Sequence, residues 1–179
     1  LIAVPVLLGA LARLPIGMLT DRFGGRLIFT ILLFLSAAVC AAIPSLLGWP
    51  SILIAAFVLG LSGSSFSVGV GYVSRWAPAQ QQGSVLGLYG LGYIGQSLAV
   101  FLSPLVADRF GWPSVFYSCA AVIFVWAIVF GFIARDAPVQ TKSSSLSDMC
   151  KVLMTEKLSW LLALFYFLTF GGFIAFAIY

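Results

Sequence analysis

Apolar stretches of about twenty residues fill most of this 179-residue sequence, and short polar segments separate them. A helix needs roughly 20 apolar residues to cross a hydrocarbon layer of about 30 Å, so each stretch has the length of a membrane span. Only 8% of the residues are charged, whereas about a quarter are charged in soluble domains. The sequence therefore predicts an all-α membrane protein with spans at 1–19, 27–46, 52–74, 84–107 and 113–134 and a sixth that begins at Leu158.

Basic residues collect on one side of the predicted spans. If segment 20–26 is cytoplasmic, the outer loops hold only Arg109, which is the positive-inside pattern. The cytoplasmic segments hold Arg22, Arg26, Arg75, Arg135, Lys142, Lys151 and Lys157. Because these residues form no stripe or patch, the net charge of +4 reflects membrane topology, and we expect no nucleic-acid partner.

The sequence contains no histidine and only three cysteines. The absence of histidine excludes histidine-based acid–base catalysis, histidine zinc sites and histidine-ligated haem. Cys40 and Cys119 fall inside spans and Cys150 falls in an inner loop, so their spacing indicates neither a disulfide framework nor a metal site. We expect a protein that is not an enzyme and that has no cofactor and no metal.

A polar, serine-rich segment at 134–157 divides the sequence. It predicts a cytoplasmic linker between an N-terminal bundle at 1–133, which lacks its first helix, and the first helix of a second bundle at 158–179. Within the linker, Leu146, Met149, Cys150 and Leu153 have the spacing of an amphipathic helix, although an ordered loop is an equal alternative. Since both ends of the sequence are apolar, we expect a piece of a longer polytopic protein, whose other helices and the lipid bilayer would be its partners.

The tetrapeptide DRFG occurs twice, at 21–24 and at 108–111. The two copies are one triplet of spans apart, so the second copy would lie on the opposite side of the membrane. This arrangement indicates inverted three-helix repeats of the kind found in transporters.

Arg13 lies inside an apolar span, eight residues before Asp21. In a helix this spacing places it roughly 12 Å from the inner loop, close to the bilayer midplane. A charge at this depth costs about 2.5–3.5 kcal/mol and usually faces a cavity or a partner. Because a guanidinium matches two oxygens of a planar oxyanion, Arg13 predicts an anionic ligand.

Three aromatic residues, Phe66, Tyr93 and Tyr166, fall at the same predicted depth as Arg13 when residues are counted from the inner end of each span. Glycines and serines form two smooth stripes nearby, which predict close approach between helices or a flexible helix that admits a ligand. The stripes consist of Gly63, Ser67 and Gly71 in one span and of Gly87, Gly90 and Gly95 in the next.

The segment GMLTDRFGGR at 17–26 resembles the loop motif G-x-x-x-D-R-x-G-x-R of the major facilitator superfamily. Residues 63–104, which include GLYGLGYIG, resemble the fourth and fifth helices of the nitrate/nitrite porters with their glycine-rich signature. Residues 165–176 resemble the seventh helix of the same family. The resemblance implies a major facilitator fold, of which about six of the twelve transmembrane helices are present, and a secondary transporter of nitrate, nitrite or both in a bacterial inner membrane.

The resemblance also implies roles for individual residues. Arg13 would be one half of an anion clamp, and further substrate-binding residues would be Phe66, Gly90, Gly92, Tyr93, Tyr166 and Phe170, beside the other signature glycines Gly87 and Gly95. The conformational loop motif would consist of Gly17, Asp21, Arg22, Gly24 and Arg26, in which Asp21 and Arg22 hold one closed arrangement through charge pairs.

Tyr93 departs from the family, which commonly has asparagine at this position. A ring with one hydroxyl replaces an amide that donates two hydrogen bonds, so transport of another small anion is an alternative. A channel and a non-transporting anion sensor are further alternatives. Proton symport and nitrate/nitrite exchange both occur in the family, and both stay open.

Overall fold

The structure is a computed structural model that describes residues 3–137 and 154–172. The chain divides into two compact units, residues 1–141 and 142–179, and each is treated by itself. The predicted amphipathic helix of the linker lies outside the described residues. Everything regular in the described ranges is helical.

Seven α-helices make up the described part of the first unit. They are α1 (Ala3–Phe23), α2 (Gly25–Ala42), α3 (Trp49–Ser62), α4 (Ser65–Ser74), α5 (Gln82–Gly90), α6 (Ile94–Phe110) and α7 (Trp112–Ile133). The second unit contains α8 (Lys157–Tyr166) and a π-helical turn (Phe167–Gly171).

Four stretches of the described residues are long and apolar enough to cross a membrane: Gly25–Ser45, Trp49–Ser74, Gln82–Phe110 and Trp112–Ile133. They coincide with the second to fifth predicted spans. The first predicted span lies in α1, whose 21 residues extend over roughly 31 Å at 1.5 Å per residue. The chain is therefore a multi-pass membrane protein, as the sequence predicts.

A small apolar core joins α1, α2 and α4. Two of the three helices contribute residues from successive turns of one face: α1 contributes Ala12 and Ile16, and α2 contributes Ile28 and Leu32. The fifth buried residue is Val68 of α4. The four-residue spacing on α1 and α2 places each pair on the side that faces the neighbouring helix. This core holds α1, which carries Arg13, against α4, which carries Phe66.

Helices α2 and α7 pack side by side in antiparallel directions. Phe29 lies 4.9 Å from Phe130 and Phe34 lies 5.5 Å from Phe124, both measured between ring centroids. Ala127 of α7 is completely buried. Small and aromatic residues thus form this interface, as is common where helices pack inside a membrane.

The two DRFG segments have the same local geometry. In each, a helix ends at phenylalanine and the next helix begins immediately after a glycine with positive φ, at +91° for Gly24 and +83° for Gly111. Each glycine N–H donates to a carbonyl four residues earlier, at 3.0 Å and 2.8 Å respectively. Because side chains strain this backbone region, only glycine fits readily at both turns. The inverted repeat that these segments indicate stays a prediction.

Candidate functional site

Each helix that carries a predicted binding side chain departs from regular α-helix beside that residue. The irregularities are Pro15 inside α1, the break between α3 and α4, the 3₁₀ turn between α5 and α6, and the π-helical turn after α8. They lie next to Arg13, Phe66, Tyr93 and Tyr166 respectively. Irregular helix segments leave backbone polar groups without their usual helical partners, and transporters use such segments to line substrate sites. Within the first unit, to which Arg13, Phe66 and Tyr93 belong, this coincidence marks the candidate site.

Arg13 is half-buried on α1, and its Nε atom is buried. Its neighbour Ala12 belongs to the apolar core that also contains Val68, two residues after Phe66. Pro15 has no N–H, so it cannot donate to the carbonyl of Leu11 as a regular helical residue would. Arg13 therefore follows directly on a residue of the α1–α4 contact, and its contact with a ligand stays a prediction.

The ring of Phe66 contacts two tyrosines, Tyr89 in α5 and Tyr93 in the 3₁₀ turn that follows it. Its centroid is 5.6 Å from that of Tyr89 and 5.7 Å from that of Tyr93. Separations of this size are typical of interacting aromatic pairs. Two residues of the predicted layer, Phe66 and Tyr93, are thus in contact, and Tyr89 joins them.

The glycine-rich signature leaves open space. An added Cβ at Gly87, Gly90, Gly92 or Gly95 would meet no atom of the described residues within 4 Å, and the same is true of Gly71. Close helix approach occurs elsewhere, at Gly9, where an added Cβ would lie 2.8 Å from the carbonyl oxygen of Gly60. Of the two stripes, only Gly63 contributes to this contact, since its own Cβ would lie 3.8 Å from the Cα of Gly9. Among the described residues, close helix approach is therefore found at Gly63 and not at Gly71, Gly87, Gly90 or Gly95.

Tyr166 and Phe170 belong to the second unit. Tyr166 is exposed there and ends α8, and Phe170 lies in the π-helical turn. Their predicted contact with the ligand stays a prediction.

The loop motif connects α1 to three other helices. The carboxylate of Asp21 forms an ion pair with the guanidinium of Arg75, and both side chains are largely shielded, with exposures of 26% and 21%. Arg22 is exposed and lies over the ring of Phe23, 5.4 Å from its centroid. Gly17 has open space where a Cβ would be, among the described residues. Gly24 and Arg26 contact the segment that follows α7.

The sequence profile of the Major Facilitator Superfamily matches residues 1–179 of this chain. The chain belongs to the major facilitator superfamily. The fold class and the superfamily resemblance predicted from the sequence are thereby confirmed.

Several curated members of the superfamily are similar to this chain. It is 35% identical over 179 residues to the nitrite extrusion protein of Bacillus subtilis, covering 99% of this chain and 45% of that protein. It is 33% identical to the probable nitrate/nitrite antiporter NarK1 of Thermus thermophilus, with 97% and 42% covered, and 32% identical to the probable nitrate transporter NarT of Staphylococcus epidermidis, with 100% and 46% covered. The chain spans less than half the length of these relatives.

Three residues of the candidate site in this superfamily member were not predicted from the sequence. Tyr89 stacks on Phe66, Arg75 pairs with Asp21, and Asp136 contacts the start of α2. Tyr89 precedes Tyr93 by four residues, a spacing that places both on one helix face. Arg75 and Asp136 each follow the end of a predicted span. At that position they lie near the loop motif, where Arg75 pairs with the carboxylate of Asp21 and Asp136 accepts from the backbone N–H of Arg26.

Proposed function

We propose that the complete polypeptide carrying this chain transports nitrate, nitrite or both across a bacterial plasma membrane by alternating access and catalyses no reaction. The observation that carries the proposal is the half-buried Arg13 in the middle of α1, beside the helix that presents Phe66. A permanently charged side chain at this depth favours a small anion as its ligand.

The aromatic cluster of Phe66, Tyr89 and Tyr93 supports the same conclusion. An oxyanion bound beside these rings would be partly shielded from water, which strengthens its attraction to a guanidinium. Tyrosine hydroxyls also donate hydrogen bonds to anionic oxygens. In this proposal Arg13 supplies charge and bidentate geometry, and the aromatic residues supply shape.

The names of the relatives support nitrate and nitrite as the substrates. All three relatives described above carry names of nitrate or nitrite transporters, and the match covers nearly all of this chain. Their names include extrusion and antiport as well as transport, so exchange of the two anions is the first mode to test.

Tyr93 favours a second candidate, transport of another small anion. Its ring lies against Phe66, so the space that an asparagine would leave free at this position is filled. A site narrowed in this way would bind nitrate more weakly or prefer an anion of different shape.

The test is counterflow of labelled nitrate and nitrite by the complete polypeptide in proteoliposomes. Arg13→Lys keeps the charge but loses the bidentate fork, and we expect exchange to fall about ten- to hundredfold, since a hydrogen bond to a charged group corresponds to roughly 1.5–3 kcal/mol. Arg109→Lys, an exposed arginine in the last turn of α6, is the matched control and should be unchanged.

Each outcome of this test has a distinct meaning. Saturable exchange that Arg13→Lys abolishes supports the proposal, and a lower KM for Tyr93→Asn would support the role given to Tyr93. Flux that does not saturate and shows no trans-stimulation would indicate a channel, and anion binding without flux would indicate a sensor. If neither anion is transported, the assignment of nitrate and nitrite as substrates is wrong, and other small anions should be tested.

A further inference from the structure

The start of α2 donates hydrogen bonds to the end of α7 and to the segment that follows it. The backbone N–H of Arg26 donates to Oδ1 of Asp136 at 2.9 Å. The side chain of the same residue donates as well, from Nε and Nη2 to the carbonyl oxygen of Gly131 at 3.0 Å and 2.6 Å. Arg26 therefore donates to the α7 end through both its backbone and its side chain.

These bonds satisfy groups that the two helices leave unpaired. Arg26 is the second residue of α2, and the first N–H groups of a helix have no partner within it. Gly131 is in the last turn of α7, whose final carbonyls likewise have none. Each helix end therefore supplies the hydrogen-bonding group that the other lacks.

Asp136 takes the place of an N-cap side chain for α2. The N-cap position is Gly24, which has no side chain to accept a hydrogen bond. A Cβ added at Gly24 would lie 2.6 Å from Oδ2 of Asp136, so the glycine leaves the space that the carboxylate occupies. The acceptor for this N–H is normally the side chain of the N-cap residue. Here it comes from a residue 110 positions away in the sequence.

A third helix holds the same segment. The hydroxyl of Tyr72 on α4 donates to the carbonyl of Arg135, and the Tyr72 ring is so close to Gly25 that a Cβ there would lie 2.5 Å from it. The chain leaving α7 is thus fixed by both α2 and α4, five residues before the first unit ends at residue 141.

We propose that Arg26 and Asp136 form a clasp, a conformational device that anchors the chain leaving the first unit to the loop motif. Through the clasp, displacement of Asp136 acts on the start of α2, and so on the loop in which Asp21 pairs with Arg75. The clasp operates as one unit, so opening it on either side loosens both helix ends.

The two sides of the clasp can be opened separately. Arg26→Ala removes the guanidinium but keeps the backbone N–H that Asp136 accepts. Asp136→Ala removes the carboxylate but keeps the bonds from the guanidinium to Gly131. Two independent caps would each loosen only their own helix end, whereas a clasp predicts that each substitution loosens both.

The experiment is hydrogen–deuterium exchange of the complete polypeptide in lipid nanodiscs, followed in the first turn of α2 and at 131–137. For Arg26→Ala and for Asp136→Ala we expect exchange to accelerate about fivefold at both ends, the factor that corresponds to a lost N-cap. Asp136→Asn keeps an acceptor oxygen and should retain most of the protection. Asp108→Ala, an exposed carboxylate in the last turn of α6, is the matched control and should change neither end.

Two results would overturn the proposal. The first is acceleration confined to one end, α2 for Asp136→Ala and α7 for Arg26→Ala. The second is an Asp136→Asn variant that exchanges as fast as Asp136→Ala, since the acceptor would then not be the essential group. If Asp136→Ala fails to fold, Arg26→Ala decides between the two models, because a clasp predicts faster exchange at both ends and independent caps predict it only at 131–137. Because exchange is measured without substrate, failure of nitrate transport leaves this result unaffected.

Discussion

Gly69 and Tyr89 offer a test of the aromatic cluster at the level of single residues. A Cβ added at Gly69, which is buried on α4, would lie 1.9 Å from the Tyr89 hydroxyl oxygen and 2.4 Å from Cζ. Gly69→Ala must therefore displace the Tyr89 ring and, through it, Phe66. We expect a loss of about 1–3 kcal/mol in the free energy of unfolding, as for other overpacked sites, together with a several-fold higher KM for the transported anion.

Gly71→Ala is the matched control, because it lies on the same helix and an added Cβ there meets no described atom within 4 Å. It should leave stability unchanged or raise it slightly, since alanine favours helix over glycine. Thermal unfolding in detergent and transport kinetics measure both variants. A second substitution, Tyr89→Ala, should make Gly69→Ala nearly harmless; additive losses would contradict the contact.

Depth along a span can be counted from sequence, but the direction of a side chain cannot. The count placed Phe66 and Tyr93 at one level, and their rings are in contact. The count missed Tyr89 because it lies one turn away in depth and reaches the same cluster by sharing a helix face with Tyr93. In a span that is apolar on nearly every side, hydrophobic periodicity does not indicate which face is inside.

Among whole elements, the α1–α3 contact depends on one glycine. A Cβ at Gly9 would lie 2.8 Å from the backbone oxygen of Gly60 and 3.8 Å from the Cα of Gly63. Backbone atoms cannot rotate away as a side chain does, so Gly9→Ala must push the two helices apart. We expect a loss of about 1–3 kcal/mol in stability, measured by thermal unfolding. Gly17→Ala, in open space on the same helix, should show no such loss, and equal melting temperatures would argue against the close approach.

Span positions were predicted well, but helix interruptions and helix partners were not. Length and hydropathy located Gly25–Ser45 and Trp112–Ile133, because crossing a bilayer needs a fixed number of apolar residues. The pairing of these two helices, with Phe29 on Phe130, depends on side-chain shape across the interface, which the sequence of one span does not contain.

At the scale of the whole molecule, the loop motif connects four helices of the first unit. Asp21 links α1 to the end of α4 through Arg75, and Arg26 links α2 to the end of α7 through Gly131 and Asp136. The loop motif could be recognised from residues 17–26 alone, because they resemble the motif of the superfamily. Its partners lie 54 and 110 positions away from Asp21 and Arg26 respectively, and only the folded bundle brings them together.

The Asp21–Arg75 pair predicts that exchanging the two charges restores what either reversal removes. Asp21→Arg alone places two guanidinium groups together, and Arg75→Asp alone places two carboxylates together. Since both side chains are largely shielded, each single variant should lose roughly 1.5–3 kcal/mol in the free energy of unfolding, the range for hydrogen bonds between charged groups. The double variant should recover most of this stability and part of the anion exchange, measured by thermal unfolding and by counterflow. If stability recovers but transport does not, Asp21 has a second partner during transport. If the double variant loses as much free energy of unfolding as the two single variants together, the pair does not stabilise this end of the bundle.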